Sequence, residues 1–173
     1  IRDRYKYILF DLDGTITESG PGIMNSVEYA LNKMNREVGE RDTLKKFIGP
    51  PLTESMEKYY GMSEEEALLG VKYYREYYHD KGIYENRVYD GLEEVLKKIN
   101  EAGKQAIVAT SKPEKYAKII IDHFHLTKYF ACVAGMEMDG GRGTKAQVIT
   151  YALEKNDITD KSKVLMIGDR EHD

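Results

Sequence analysis

Tyr7-Ile8-Leu9-Phe10-Asp11-Leu12-Asp13-Gly14-Thr15 is an apolar run of strand type that ends abruptly in two carboxylates one residue apart, followed by a glycine. In parallel α/β sheets, ligands and reactive groups collect beyond the carboxyl ends of the strands, so Asp11 and Asp13 are expected to project into a cleft there. Two anions held so close repel each other unless a cation sits between them or one carries a proton. The stretch therefore points to a divalent metal and to carboxylate chemistry.

Three later segments read as buried strands: residues 105–110, 130–134 and 163–168. Helical patterns separate them. Leu92, Val95, Leu96 and Ile99 recur at i, i+3, i+4 and i+7, and Asp90 with Glu93 resembles a capping box, so a helix is expected over residues 91–102, stopped by Gly103. Pro113 suits a first helical position and opens a helix toward Phe124, and another helix is expected over residues 145–154. Strand alternating with helix implies an α/β fold with a Rossmann-like parallel sheet and right-handed crossovers.

One interval breaks that rhythm. About ninety residues separate the first strand from Gln105, where one βαβ unit needs only about thirty. Residues 18–87 read as helical throughout: one helix over 21–35, one over 52–60, and one starting at Ser63 with Glu66 three residues on. The expected organisation is a discontinuous core, 1–17 with 88–173, and an inserted all-helical unit, 18–87. An insertion that leaves the core directly after the carboxylates would sit over the cleft and close on it as a lid, with hinges near Thr17 and Arg87. Eight of the fourteen tyrosines lie in this insertion, seven of them from Tyr59 to Tyr84, where amphipathic packing of small helices accounts for them.

Apolar residues make up 41% of the 173 and charged residues 32%, with no apolar run near membrane-spanning length, which favours neither a membrane span nor disorder. Arg2, Asp3, Arg4 and Lys6 open the chain ahead of a strand, unlike a signal or transit peptide, so the expected compartment is the cytoplasm. The single cysteine, Cys132, lies in an apolar run and is expected to be a buried structural thiol. A net charge of −4 lacks the broad basic surface of a nucleic-acid binder. Small-molecule chemistry follows, with no nucleic-acid polymer and no membrane among the expected partners. The four histidines show no metal-ligand spacing.

Four groups at the ends of the four strands form the larger constellation: Asp11 with Asp13, Thr110 with Ser111, Lys145 at the start of its helix, and Asp169 with Asp173. Each alone is weak, since strand-end Asp residues often cap helices and a lone Ser-Lys-Pro is commonly a helix start. Together and in this order they are specific. The chain resembles the haloacid-dehalogenase-like phosphatase superfamily. The match covers Asp11-Leu12-Asp13-Gly14-Thr15, Thr110 after Ile107-Val108-Ala109, Lys145, and Gly168-Asp169-Arg170-Glu171-His172-Asp173. The insertion resembles the type-1 helical cap of that superfamily. Within it the chain is most similar to the phosphoglycolate-phosphatase-like branch, which includes bacterial proteins assigned as 5'-nucleotidases. Phe47-Ile48-Gly49-Pro50-Pro51-Leu52 resembles the cap's specificity loop there.

The resemblance implies a Mg²⁺-dependent phosphatase for a small phosphate monoester, phosphoglycolate or a nucleoside 5'-monophosphate. Asp11 would be the nucleophile that forms an aspartyl-phosphate, and Asp13 the acid and base that serves the leaving alcohol and then the attacking water. Mg²⁺ would be held by Asp11, Asp13, Asp169 and Asp173, with Asp13 giving its backbone carbonyl and Asp173 acting directly or through water. Thr110 and Lys145 complete the implied catalytic set. Thr110 would donate to a phosphate oxygen, and Lys145 would hold Asp11 and the transferring phosphoryl group together. Gly14, Ser111, Lys45, Lys46 and Gly49 are the expected substrate-binding residues; Ser111 offers its amide beside the helix at Pro113, and Arg41 joins the cap lysines as a candidate for the substrate's non-reacting end.

The same likeness implies a further helix and at least one more strand after Asp173. It leaves room for a β-phosphoglucomutase-like sugar-phosphate mutase, although Ile23 stands about twelve residues after Asp11, where that enzyme has an assisting histidine. A phosphonate-cleaving relative would replace Asp13. Pyrophosphatase chemistry stays open. A non-catalytic, receiver-like phosphate-binding module needs no helical insertion directly after its phospho-acceptor. The expected partner is a small phosphorylated metabolite, and the expected assembly a monomer or weak dimer.

Overall fold

The computed structural model describes residues 4–139 and 141–169. The chain divides into two compact units, Ile1–Thr17 with Val88–Asp173, and Glu18–Arg87.

The first unit is built on four parallel strands: β1 (Tyr7–Phe10), β4 (Gln105–Pro113), β5 (Phe130–Met136) and β6 (Val164–Ile167), ordered β5-β4-β1-β6. β1 lies between β4 and β6, with Leu9 opposite Ile107 on one side and Met166 on the other. Alternation along the strands divides the apolar residues between two faces. On one face, Leu9, Ile107, Ala109, Ala134 and Met136 pack with Val148, Ala152 and Leu153 of α6 (Lys145–Lys155). From the other face of β4, Ala106 and Val108 are buried, and α4 (Leu92–Glu101) and α5 (Glu114–His123) pack against that strand. Each large side chain of this kind contributes about 1.5–3 kcal/mol by leaving water.

Local details depart from the sequence expectations in four places. β4 runs on to Pro113 instead of stopping at Thr110, with an irregular register against β5 between Ala109 and Pro113, and α5 begins one residue later at Glu114. The helix expected over residues 91–102 is Leu92–Glu101, and its N-cap is Gly91 at φ +81, with no side-chain cap. Glu93 is therefore not part of a capping box; its carboxylate accepts from the Tyr129 hydroxyl at 2.7 Å. A box does form at α6, where Thr144 and Gln147 cap each other reciprocally. Cys132 is half-buried rather than buried, and packs at the edge of the α6 cluster.

The second unit holds α1 (Gly20–Lys33), α2 (Leu52–Tyr60) and α3 (Glu64–Asp80), with 3-10 turns at Arg41–Phe47 and Gly82–Tyr84. Ser63 and Glu66 form the capping box that starts α3. Gly22 permits the closest approach in this unit: a β-carbon there would strike the carbonyl of Gly82. Tyr74 and Tyr78 are buried and stacked, with ring centres 5.2 Å apart, whereas Tyr59 and Tyr84 are exposed. Two short strands, β2 (Thr17–Glu18) and β3 (Arg87–Val88), pair with each other where the chain passes between the units. No helix among the described residues is long and apolar enough to cross a membrane.

Candidate active site

The turn after β1 is fixed by its own backbone. The Asp11 amide donates to the Ile167 carbonyl at 2.9 Å, which extends the pairing with β6 one residue past the strand. The Leu12 carbonyl then accepts from the amides of Thr15, Ile16 and Thr17, and the Gly14 amide donates to Thr17 at 2.8 Å. Gly14 sits at φ +82, a conformation that glycine adopts without cost. Its missing side chain has a second consequence. A β-carbon there would lie 3.0 Å from Cγ of Asp169 and closer still to the carboxylate, so glycine is what lets Asp169 come against this turn.

Asp11 and Asp13 are both buried. Asp11 Oδ1 accepts from the Leu12 amide at 2.8 Å and lies 3.0 Å from Nζ of Lys145, the first residue of α6. Asp13 Oδ2 lies 3.2 Å from Nζ of Lys112, in a pair whose side chains are only 7% and 5% exposed. The other Asp13 oxygen, Oδ1, is buried with no hydrogen-bond partner among the described residues. The repulsion expected of two strand-end anions is thus met by two ammonium groups, one for each carboxylate. Removing one partner of an ion pair this buried is costly, because the other charge is left alone in the interior.

Lys112 is a buried member of this cluster that the sequence motifs do not single out. Ser-Lys-Pro reads as a helix start, yet Lys112 lies two residues beyond Thr110 in a strand that continues, with irregular register, to Pro113. Thr110 is buried, and its hydroxyl accepts from the Lys112 amide at 3.1 Å, leaving its own proton to donate. Ser111 is half-buried and within β4, three residues before α5 begins at Glu114.

Asp11, Asp13, Gly14, Thr110, Lys145 and Asp169 therefore come from the ends of three strands and the start of α6. Asp173 lies outside the described residues. Lys45, Lys46 and Gly49 belong to the helical unit. There Lys45 pairs with Asp42 at 3.1 Å, Lys46 stacks over the Tyr59 ring at 4.2 Å, and Gly49 has φ +103. Arg41 pairs with Glu28 at 2.9 Å and donates to Asn25. Asn25 in turn donates to Glu85, whose carboxylate pushes up the Tyr77 hydroxyl by hydrogen bonding.

No three His, Cys, Asp or Glu side chains among the described residues converge as a metal cage. Mg²⁺ needs none, since it is commonly bound by one or two carboxylates with substrate phosphate and water filling its shell. Asp11, the Asp13 carbonyl and Asp169, brought against the turn by Gly14, are oxygen donors of the kind it takes.

The family model described as haloacid dehalogenase-like hydrolase matches residues 8–173. The chain belongs to this family. A 5'-nucleotidase of Pseudomonas aeruginosa is 41% identical over 170 residues, which cover 98% of this chain and 76% of that protein. A protein of Mycobacterium tuberculosis named tyrosine-protein kinase PtkA is 38% identical over 167 residues, 96% of this chain but 56% of its own length. Among solved structures, a predicted phosphatase from Clostridium acetobutylicum superposes with a TM-score of 0.95 at 46% identity, covering 99% of this chain and 79% of that one.

Proposed function

We propose that the protein is a Mg²⁺-dependent phosphatase that hydrolyses a small phosphate monoester through an aspartyl-phosphate on Asp11. The observation that carries this reading is the pair of buried carboxylate–lysine contacts at adjacent strand ends, Asp11 with Lys145 and Asp13 with Lys112. A purely structural core has little use for four buried charges at the mouth of a sheet.

The chemistry follows from what each group can do. A carboxylate oxygen of Asp11 attacks phosphorus while the bond to the leaving alcohol breaks, and Asp13, which must first take a proton from solvent on Oδ1, gives that proton to the departing oxygen. Oδ1 of Asp13 suits that role, because Lys112 holds the other oxygen. Water then attacks the acyl phosphate, Asp13 takes the proton back, phosphate leaves and Asp11 is restored. Lys145 orients Asp11 and offsets charge that builds on the phosphoryl oxygens, and Thr110 donates its hydroxyl to one of them. When bound by Asp11, the Asp13 carbonyl and Asp169, with Asp173 in support, Mg²⁺ supplies positive charge that lets an anionic nucleophile approach an anionic ester.

Substrate choice falls to groups such as Lys45, Lys46 and Gly49, and the preferred class is a nucleoside 5'-monophosphate or phosphoglycolate. The Pseudomonas relative's name supports the first. The test is phosphate release, with and without Mg²⁺, from p-nitrophenyl phosphate, nucleoside monophosphates, phosphoglycolate, a hexose phosphate and pyrophosphate. An added arm offers ATP with a tyrosine peptide, because the mycobacterial relative is named a tyrosine kinase. Mg²⁺-dependent release from a monoester supports the reading. Release from pyrophosphate alone, or transfer to tyrosine alone, replaces it.

A further inference from the structure

Arg142 stands three residues before Lys145 in a segment where Gly141 and Gly143 flank it. Glycine flanks give the backbone many conformations, and holding one of them costs entropy that contacts must offset. Arg142 supplies an unusual number. Its Nε donates to the carbonyl of Gly135 in β5 at 3.1 Å. One terminal nitrogen meets Glu137 at 2.7 Å, and the other meets Glu114 at 3.3 Å. The guanidinium lies over the Tyr151 ring of α6, 3.9 Å from its centre. The Arg142 and Glu114 side chains are each only 18% exposed.

Glu114 is what makes this arrangement bear on the active site. It opens α5 directly after the strand that carries Thr110 and Lys112, and its carboxylate also accepts from the Gly135 amide at 3.4 Å. Gly135 allows the close fit, since a β-carbon there would lie 2.7 Å from the backbone of Glu114. On the far side of Arg142, the Gln147 side chain accepts from the amides of Gly143 and Thr144 at 2.9 and 3.1 Å. The residues leading to Lys145 are therefore gripped from both sides, and Arg142 ties them to Glu114, which directly follows the strand bearing Thr110 and Lys112.

We propose that Arg142 is a positioning residue that sets the distance between Lys145 and Asp11 by fastening the start of α6 to the end of β4 through Glu114. The proposal rests on the reading of Lys145 as an active-site lysine, but its test does not depend on turnover. Surface bridges alone add little; here the planar fork meets two carboxylates and a carbonyl at once while stacked on an aromatic ring, a geometry that lysine cannot reproduce.

The experiment is competitive acetylation of the full protein, with Lys145 read by peptide mass spectrometry against the exposed Lys72 of α3 as internal reference. In the wild type, Lys145 should react slowly, because it is 10% exposed and paired. Arg142→Met should speed its labelling about tenfold or more, since an opened ion pair exposes the amine, and Arg142→Lys should behave like Arg142→Met. Glu114→Gln should move the labelling in the same direction by less. With a substrate in hand, kcat should fall between about tenfold and a hundredfold at little-changed KM, as expected of a small misplacement at the reacting centre. Lys145 labelling that is unchanged in a folded Arg142→Met overturns the proposal whatever the activity. So does full recovery by Arg142→Lys. Absence of phosphate release in the wild type counts instead against the phosphatase reading, and the labelling still decides the role of Arg142.

Discussion

Replacing Lys112 by Met keeps much of the aliphatic stem and removes the charge that faces Asp13. At the observed 3.2 Å, an effective dielectric constant of about 20 gives an attraction of about 5 kcal/mol. Desolvation of both groups offsets part of this in the intact pair; removing one partner recovers only that partner's share, and the other charge stays buried and unmatched. Breaking such a pair typically costs about 3–5 kcal/mol. For a chain of this size each kcal/mol lowers the thermal midpoint by about 2–4 °C, so Lys112→Met should melt about 6–20 °C below the wild type. The assay is urea and thermal unfolding in EDTA, with Asp13→Asn and the double variant completing a cycle. Neutralising both partners should be less damaging than the sum of the two single changes by about 1.5 kcal/mol or more. A Lys112→Met protein within about 0.5 kcal/mol of wild type, or strictly additive effects, would refute the reasoning that the two charges are matched in the interior.

Lys145→Met should lower kcat by about 10²–10³, the usual cost of one preorganised donor, and steady-state phosphate release measures it. Gly14→Ala forces an alanine to φ +82 and drives its β-carbon into Asp169; the expected cost is about 1–3 kcal/mol, together with a higher Mg²⁺ requirement in a metal titration of the rate. Stability should decline on acidification. The Ser63 amide holds the Glu66 carboxyl below its usual range, the Tyr129 hydroxyl does so for Glu93, and Ser162 for Asp160. Each binds protons more readily in the unfolded chain, so stability present near neutrality is lost as pH falls below about 4.5, the ordinary glutamate value. Midpoints recorded across that range should show the loss, and Glu66→Gln with Glu93→Gln should flatten it.

The parts of the fold carried by local pattern were readable in the sequence. The apolar run before Asp11, the helix over Leu52–Tyr60 and the Ser63–Glu66 box depend on residues a few positions apart, and they stand as expected. Asp90 and Glu93 also had box spacing, but Gly91 took the cap position in a left-handed conformation, and Glu93 turned to Tyr129, thirty-six residues away. Pro113 was read as a helix start, yet pairing with Met136 of β5 kept it in the strand. The site divides in the same way. Asp11, Asp13 and Asp169 announce themselves by standing just beyond apolar runs. Lys112 and Arg142 do not, because what gives them meaning is a partner remote in sequence, Asp13 for one and Glu114 for the other.

The most direct measurement is chemical trapping of an acyl phosphate during turnover of a p-nitrophenyl phosphate substrate in Mg²⁺, with the modified peptide identified by mass spectrometry. The expected result is a hydroxylamine-sensitive adduct on Asp11, absent in Asp11→Asn and accumulating in Asp13→Asn, where the water that should discharge it loses its base. Phosphate release that persists in Asp11→Asn, or an adduct on any other residue, would contradict the nucleophilic role on which the mechanism is built.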